Sequence, residues 1–581
     1  MERERTRTTH HKPSVGLPPP QLGSGKKTGQ NSAQIAFLPQ TICHSPTQSA
    51  SSSSQSLSVT YCTNSEQKMH TPTTLLALAA LVSSTTAQLI TAPATSQWTA
   101  GSTTNTKGCV ANPVVGTDYF PQKTFKNGTN DVFTVAYQGN IKIVTDNGKL
   151  PYTKPHTYVL YQCGTAKPTP EFLANYPGAT VFSIPLESVA TTSTTELAYL
   201  EILGARNVIK YTTDQSLITS PCIHRANLTS INPYNQTAAE GAAFIAAYNN
   251  VNATISGGDL PAPSANKTLV FPAVSDQTRY GRSEWLLFLS AFFNAEDTAN
   301  QAVQKIKTQY DCVSAAAKKA AETYGSPDAS WADFYTPDPT KGVTQFNLGA
   351  PYKYQYLQDA GAVFAKAGAG NTGTTADKVT ESSLTTTPTT SEAVKNLIAN
   401  SEIFITSGFV KDNAALLASL NIAAADVAKY NITQTKEAWS ADKKISPEGS
   451  GIAWFSSAVP YHHLVLADLA SIVQPALLPN YVRNYFRNVA TENPVGISNA
   501  QCDNAANPLM GTAEVVPDVY TGDCALNGAT LTGTVTNWKT TGAGGTNGVG
   551  NGGQGNSGGR MGVSAFLTVA LTVVGSAFCL L

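Results

Sequence analysis

"SEWLLFLSAFFNAEDTANQAVQKIKTQY", from Ser283 to Tyr310, decides the fold, and its pattern continues to Tyr324. The stretch holds no Gly and no Pro. Trp285, Leu289, Phe292, Ala299, Val303, Ile306, Tyr310, Val313, Ala317, Ala320 and Tyr324 recur mostly at steps of three or four, which makes one apolar stripe along a helix. Ser283 suits an N-cap, Glu284 suits the positive helix end, and Gly325 with Pro327 stops the pattern. At 1.5 Å per residue such a helix reaches roughly 60 Å, about twice the diameter of a small domain. It is expected to be one continuous strut. A coiled coil is disfavoured, because the repeat spans too few heptads and aromatics crowd one end.

Elements that alternate between strand and helix flank this stretch. "DVFTVAYQGNIKIVTD" (131–146) alternates around Gln138-Gly139-Asn140 and predicts a β-hairpin. "HTYVLYQCG" (156–164) and "ATVFSIP" (179–185) predict buried strands. The next segment carries Ser and Thr, then Leu197, Leu200 and Leu203, then Gly204 and the strand-like "NVIKY". Strand, polar loop, helix, Gly and strand make a βα unit, which implies a parallel sheet with helices on its faces. Beyond the long stretch, "ASWADFY" predicts a strand, "QYLQDAGAVFAKAG" a helix, "SEAVKNLIANSEIFITSGF" a helix running into a strand, and "YHHLVLADLASIVQPALLPN" a helix with a Pro stop. The fold class is therefore α/β: two Rossmann-like lobes with parallel sheets, bridged by one long helix.

The ends of the chain have other compositions. Residues 1–68 are rich in Ser, Thr, Gln and Pro and lack apolar periodicity, so they cannot bury enough surface to offset chain entropy. "MHTPTTLLALAALVSSTTAQ", opening at Met69, has the form of a secretory signal peptide cleaved after Ala87, so Met69 is the expected true start. At the other end, 541–560 is a Gly/Asn/Ser linker and 561–581 a terminal apolar tail with no basic residues after it. Together they form a GPI-anchor signal, attached between Asn551 and Ser557. The domain reading is thus an N-terminal extension with a hairpin (88–155), an N-lobe (156–282), the helix (283–324), a C-lobe (325–490) and a cysteine-bearing excursion (491–540).

Export agrees with six N-glycosylation sequons, at Asn127, Asn227, Asn235, Asn252, Asn266 and Asn431. It also agrees with an even set of cysteines between the two signals: Cys109, Cys163, Cys222, Cys312, Cys502 and Cys524. Six cysteines allow fifteen connectivities. The pairing expected is Cys502 with Cys524, which would staple the C-terminal excursion and stabilise it by roughly 3 kcal/mol. No CxxC or Cys/His cluster suggests zinc. Lys plus Arg number 38 and Asp plus Glu 38, and no basic stripe exists, which argues against nucleic acid.

Four stretches, in order, carry a resemblance. "TRYGRSEWLLFLSAFFNAEDTANQAVQKIKTQY" resembles the Gly-Arg-x-Glu-Trp approach to the backbone helix of the helical-backbone periplasmic substrate-binding proteins, the siderophore-, haem- and cobalamin-type binding components of bacterial importers. "VFSIPLESVATTSTTELAYLEILGA" resembles that family's first βα unit, "YKYQYLQDAGA" its second-lobe helix (with Ala362 in place of a final Gly), and "LVLADLASIVQPALLP" its closing helix. The resemblance covers roughly 119–487. It implies a ligand cleft between the lobes, walled by loops at strand C-termini, and little hinge motion. Carried onto this chain, it gives Ser188, Thr192, Ser193, Thr194, Arg279, Tyr280 and Arg282 from the first lobe, and Tyr335, Phe409, Trp454, Tyr461 and His462 from the second.

Each candidate has a plainer explanation: helix capping for the hydroxyls, acidic partners for the arginines, core packing for the aromatics. His462 and His463 are adjacent on a helix and point about 100° apart, so they cannot easily share one metal, and no acidic or His companion stands at useful spacing. No metal site and no cofactor are expected. No strand-borne G-x-S-x-G elbow, P-loop or strand-borne GxGxxG is present, so an enzyme is not expected. The sequence reading is an extracellular, surface-tethered, monomeric binding protein for a chelated metal or organic ligand. A GPI-anchored glycan-modifying enzyme or a non-binding wall or adhesion glycoprotein is the alternative. Sequons and the anchor signal imply a eukaryote, which departs from the family's bacterial importer setting.

Overall fold

In the computed structural model, described residues run from 99 to 541, apart from 126–130, 152, 232–237, 261–263, 336–344, 349, 365–387, 390, 400, 521–530 and 532–534. All belong to one compact unit, Cys43–Leu581. The expected leader, the extension before it and the anchor signal lie outside the described residues.

The hairpin is present. Strands β1 (Phe133–Gln138) and β2 (Ile141–Asp146) pair in antiparallel register, and Gly139 turns the chain at φ 57°, a conformation that suits glycine. Both predicted strands that follow, β3 (His156–Gln162) and β4 (Thr180–Ile184), join this hairpin as a four-stranded sheet in the order β1-β2-β3-β4. The parallel sheet of the first lobe begins later. Its strands are β5 (Val189–Thr191), β6 (Ile209–Thr212), β7 (Thr229–Ser230), β8 (Ala253–Ser256) and β9 (Thr268–Val270), ordered β9-β8-β5-β6-β7 and parallel throughout. Helix α1 (Thr195–Ile202) leaves the end of β5. Strand β5 escapes periodicity because it is three residues long and buried on both faces.

The long helix is not continuous, which corrects the expectation of one strut. Helix α2 (Gly281–Ser290) and helix α3 (Glu296–Tyr324) are separated at Ala291–Ala295, where Asn294 adopts φ 54°. Ser283 is not the cap either; it lies inside α2, and its hydroxyl donates to the Tyr280 carbonyl at 2.9 Å. The break is organised by Lys142 of β2. Its ammonium donates to the Ala291 carbonyl at 2.8 Å, to Asn294 Oδ1 at 2.7 Å and to Glu296 Oε1 at 2.5 Å. Asn294 in turn donates to the Thr106 carbonyl and to Gln162 Oε1. The Ala291 carbonyl, which a straight helix would use internally, is spent on a buried cation.

Helix α2 is buried on every side against the first lobe and the four-stranded sheet. Helix α3 starts at that sheet, touches α1, and packs along its length on α4 (Pro351–Asp359) and α5 (His462–Val473) of the second lobe. It therefore spans both lobes, as expected of the strut. The second lobe is a mixed sheet. Strand β10 (Asp328–Tyr335) pairs in parallel with β12 (Ile403–Thr406), and β12 in parallel with β13 (Ala438–Ser440). Antiparallel β11 (Gln345–Leu348) flanks β10, and β14 (Arg487–Asn488) flanks β13. One hydrophobic cluster runs through both lobes, from Phe120 by way of Trp285, Tyr310 and Trp331 to Trp538.

The C-terminal excursion is a strap over both lobes. Cys502 is bonded to Cys222, not to Cys524, which lies outside the described residues. A staple local to the excursion would close a short loop; the observed bond ties it to the first lobe, 280 residues away in sequence. Cys109 pairs with Cys163, and Cys312 is disulfide-bonded as well. Further on, Val519 N–H donates to Gln309 Oε1 of α3 at 2.9 Å, and Trp538 Nε1 donates to the Val473 carbonyl at 3.0 Å. None of the described helices is long and apolar enough to cross a membrane.

Candidate functional site

The lobes meet where β5 and β6 of the first end and where the 453–457 turn of the second approaches. Thr195 Oγ1 donates to the Phe455 carbonyl at 2.7 Å, and Thr219 and Ser456 hydroxyls lie 2.7 Å apart. Between them is a cavity of about 30 Å³. Thr194, Leu197, Ala198, Glu201, Thr219 and Ser220 line it from the first lobe, and Ser456 and Ser457 from the second. That volume holds about one water molecule; ligand sites for drug-sized molecules run to several hundred Å³. Nearby, Gly451 lies so close to Leu217 that an added Cβ would stand 2.1 Å from its carbonyl oxygen.

Two carboxyls in α1 are perturbed. Burial pushes Glu196 up to about 7, although the Ser193 hydroxyl and amide both donate to it, at 2.5 and 3.0 Å. Burial, then the neighbouring Glu514 carboxylate, pushes Glu201 up to about 8, while Ser220 Oγ donates to it at 2.6 Å.

Of the residues expected to hold ligand, only Thr194 lines this cavity. Thr192 is buried behind it, with its amide donating to the Ile255 carbonyl, and Ser193 forms the capping contact with Glu196. Ser188 stands at the opposite end of β5, where its hydroxyl donates to Asn252. Arg279 pairs with Asp359 at 3.1 Å. The Tyr280 hydroxyl donates to Asp311. Arg282 donates to the Asp276 and Val274 carbonyls and stacks 3.8 Å over the Tyr352 ring. Trp454 is buried beside Trp331 and Phe486. Tyr461 is buried against His463. His462 is fully buried between Tyr280 and Tyr310, and burial drives its basicity well below the ordinary imidazole range. Phe409 is 44% exposed. The side chain of Tyr335 lies outside the described residues.

Glu201, Thr219, Ser220, Ser456 and Ser457 were not foreseen. A signal existed for Glu201: Thr194, Leu197, Ala198 and Glu201 follow i, i+3, i+4, i+7 and share one face of α1. Ser456 and Ser457 carry no comparable pattern. Among the sequon asparagines, Asn227, Asn252 and Asn266 are exposed; Asn127 and Asn235, and the side chain of Asn431, lie outside the described residues. The one described group with metal-ligating atoms together, Cys222, Cys502 and Asp503, contains a disulfide, so its sulfurs are not free to ligate.

No family model and no curated protein matches the chain. Solved structures do. A periplasmic heme-binding protein from Pseudomonas aeruginosa is 15% identical over 53% of this chain and 99% of that one, with a TM-score of 0.36. The periplasmic heme-binding protein HutB of Vibrio cholerae is 12% identical over 48% and 95%, at 0.34. An ABC-type Fe3+-hydroxamate transport system from Saccharomonospora viridis is 14% identical over 50% and 94%, at 0.35.

Proposed function

We propose that the chain is a non-enzymatic, extracellular solute-binding protein, tethered at the cell surface by a lipid anchor, whose ligand is held between the lobes and is of the siderophore-, haem- or cobalamin-like class. One observation carries this reading: polar groups of both lobes converge on the space between them, with Thr194, Glu201, Thr219 and Ser220 facing Ser456 and Ser457. The space is too small for such a ligand, so binding requires the 453–457 turn to withdraw. The hydrogen bonds that hold it there, Thr195 to Phe455 and Thr219 with Ser456, are worth roughly 0.5–1.5 kcal/mol each, which a ligand can repay. The exposed Asn227, Asn252 and Asn266 support glycosylation of an exported chain.

A second reading, a wall or adhesion glycoprotein without ligand, is favoured by the side-chain-filled cleft and by the Cys222–Cys502 bond that ties the strap to the first lobe. Thermal unfolding of the secreted protein with ferric siderophores, haem, cobalamin and free metal ions separates the two. A ligand at a hundred times its Kd adds about 2.7 kcal/mol. A saturable shift with one class supports binding. No shift with any class in folded protein supports the second reading.

A further inference from the structure

The strap leaves the second lobe, crosses to the first and returns. Its start is a strand partner of the second lobe: Val495 and Gly496 pair in parallel with Lys444 and Ile445, and the Ile497 amide donates to the Ile445 carbonyl at 2.9 Å. Two residues later the chain is on the first lobe. Asn499 Oδ1 lies 3.0 Å from Nδ1 of His224, and the Asn499 carbonyl accepts from Arg225 at 3.2 Å. Cys502 is bonded to Cys222, and Arg206 Nη2 donates to both oxygens of Asp503, at 3.0 and 2.9 Å. The Glu514 amide then donates to the Glu201 carbonyl at 3.0 Å. Three residues after Glu514 the chain is back on the second lobe, where His463 Nε2 of α5 donates to the Pro517 carbonyl at 3.0 Å.

Both crossings are short. Fully extended, two residues reach at most about 7 Å and three about 11 Å. The anchors on the first lobe also adjoin the cavity: Glu201 and Ser220 line it, and Cys222 and His224 continue the chain from Ser220. The lobes therefore cannot part along this edge while the anchors hold. The 453–457 turn, by contrast, meets the first lobe through hydrogen bonds of Thr195 and Thr219. We propose that residues 497–517 form a clasp on the cleft: the two crossings, locked to the first lobe by the Cys222–Cys502 bond, fix the spacing of the lobes along the Glu201–His224 edge and confine opening to withdrawal of the 453–457 turn. This rests on the reading of the cleft as the binding site, and it gives that site a regulator, because slack in the clasp sets how readily the cleft opens.

The test lengthens the crossings and leaves every anchor in place. Eight-residue Gly/Ser segments, which span roughly 16 Å on average, are inserted between Ile497 and Ser498, after the 78% exposed Val515, and at both sites. Hydrogen exchange of the intact, disulfide-bonded proteins is read in peptides covering 194–203, 217–222 and 452–458, with 281–290 of the buried α2 as reference. The double insertion should raise exchange at the cleft by about tenfold or more and leave 281–290 unchanged, while each single insertion, with the other crossing still short, should raise it by under about threefold. A double insertion no more open at the cleft than the singles, or one that loosens 281–290 equally, overturns the clasp. The wild type supplies a check that needs no variant to fold. Protection in peptides covering 495–500 and 512–516 should equal or exceed that in 452–458, because a clasp that opens more readily than the cleft does not hold it; lower protection there overturns the proposal. The two readings fail separately: a silent ligand screen leaves these exchange contrasts untouched, and a failed clasp leaves any ligand-induced shift standing.

Discussion

Replacing Glu296 by Gln removes one charge from a pair that no solvent reaches. Lys142 and Glu296 side chains are both fully buried, with Nζ and Oε1 2.5 Å apart. Burial pulls Lys142 down to about 8, and Glu296 is the group that opposes the fall. The carboxylate also sits on the first turn of α3 and accepts from Asn105 Nδ2 at 2.7 Å, so it fixes the helix break and the N-terminal segment together. Removing one partner of a buried pair leaves the other uncompensated, at about 3–5 kcal/mol. With an unfolding entropy of about 2.1 cal/mol/K per residue over roughly 400 ordered residues, 1 kcal/mol moves Tm by about 1.2 °C, so Glu296→Gln should lower Tm by about 4–6 °C.

The assay is a double-mutant cycle of Lys142→Met, Glu296→Leu and both, by denaturant unfolding. Each single should cost about 3–5 kcal/mol and the double distinctly less than their sum, with a coupling of at least about 2 kcal/mol. The pH dependence has a definite sign. Because the folded Lys142 binds its proton less tightly than the unfolded one, the pair's penalty is present below about pH 8 and is relieved as pH rises from there towards the ordinary lysine value. Additive singles, or a loss below 1 kcal/mol for Glu296→Gln, would refute the claim that this pair organises the break.

Four further outcomes follow from other contacts. Gly451→Ala should loosen the cleft at about 1–3 kcal/mol, since its Cβ meets the Leu217 carbonyl, and exchange in 452–458 should rise. Asp359→Asn should cost about 3 kcal/mol at neutral pH. Burial works against that carboxylate, but Lys318, Tyr310 and Arg279 outweigh it and hold it below the ordinary range, so its contribution is full above the unfolded value and lost as pH falls through the folded one; the acid limb of a stability profile should flatten in the variant. Cys222→Ser with Cys502→Ser should cost about 5 kcal/mol in denaturant unfolding, because the bond spans 280 residues. Trp454→Ala should cost about 3–5 kcal/mol, whereas Phe409→Ala should stay within about 0.5, so a binding defect in Phe409→Ala would place that ring at the ligand.

What the sequence made legible is what local pattern controls. The hairpin at Gly139, the strands at 156–162 and 328–335, and the helix ending before Pro475 follow from alternation, turn chemistry and stop signals, whereas the helix expected over 355–368 already ends at Asp359 and Val363–Phe364 form a strand. The helix break was hidden because its cause is not local: Lys142 lies about 150 residues upstream, and only tertiary contact brings it to Asn294. Periodicity crosses the break undisturbed, since Phe292 and Ala299 still point into one core. The disulfide was hidden for the same reason, as sequence spacing does not report which cysteines fold together. Strand β5 was hidden by brevity.

The arginines show how far residue type alone can carry a site. Arg279 and Arg282 had the chemistry to hold an anionic chelate, yet the first is paired with Asp359 and the second is spent on two carbonyls and a tyrosine face. What faces the cavity instead is hydroxyl and carboxyl, with the apolar Leu197 and Ala198. On the proposed function a ligand would meet Glu201 with Glu514 beside it, and wherever either carboxyl is ionised it disfavours an anionic group by like-charge repulsion and admits a neutral or cationic one. Within the siderophore-, haem- or cobalamin-like class, this ranks ligands that present neutral hydroxamate or amide groups to the cleft above those that present carboxylates. The ranking reverses only if the anionic portion lies outside the 194–201 face. A ferric tricarboxylate that shifts Tm as strongly as a ferric hydroxamate, and does so equally in Glu201→Gln, would show that the ligand sits away from Glu201.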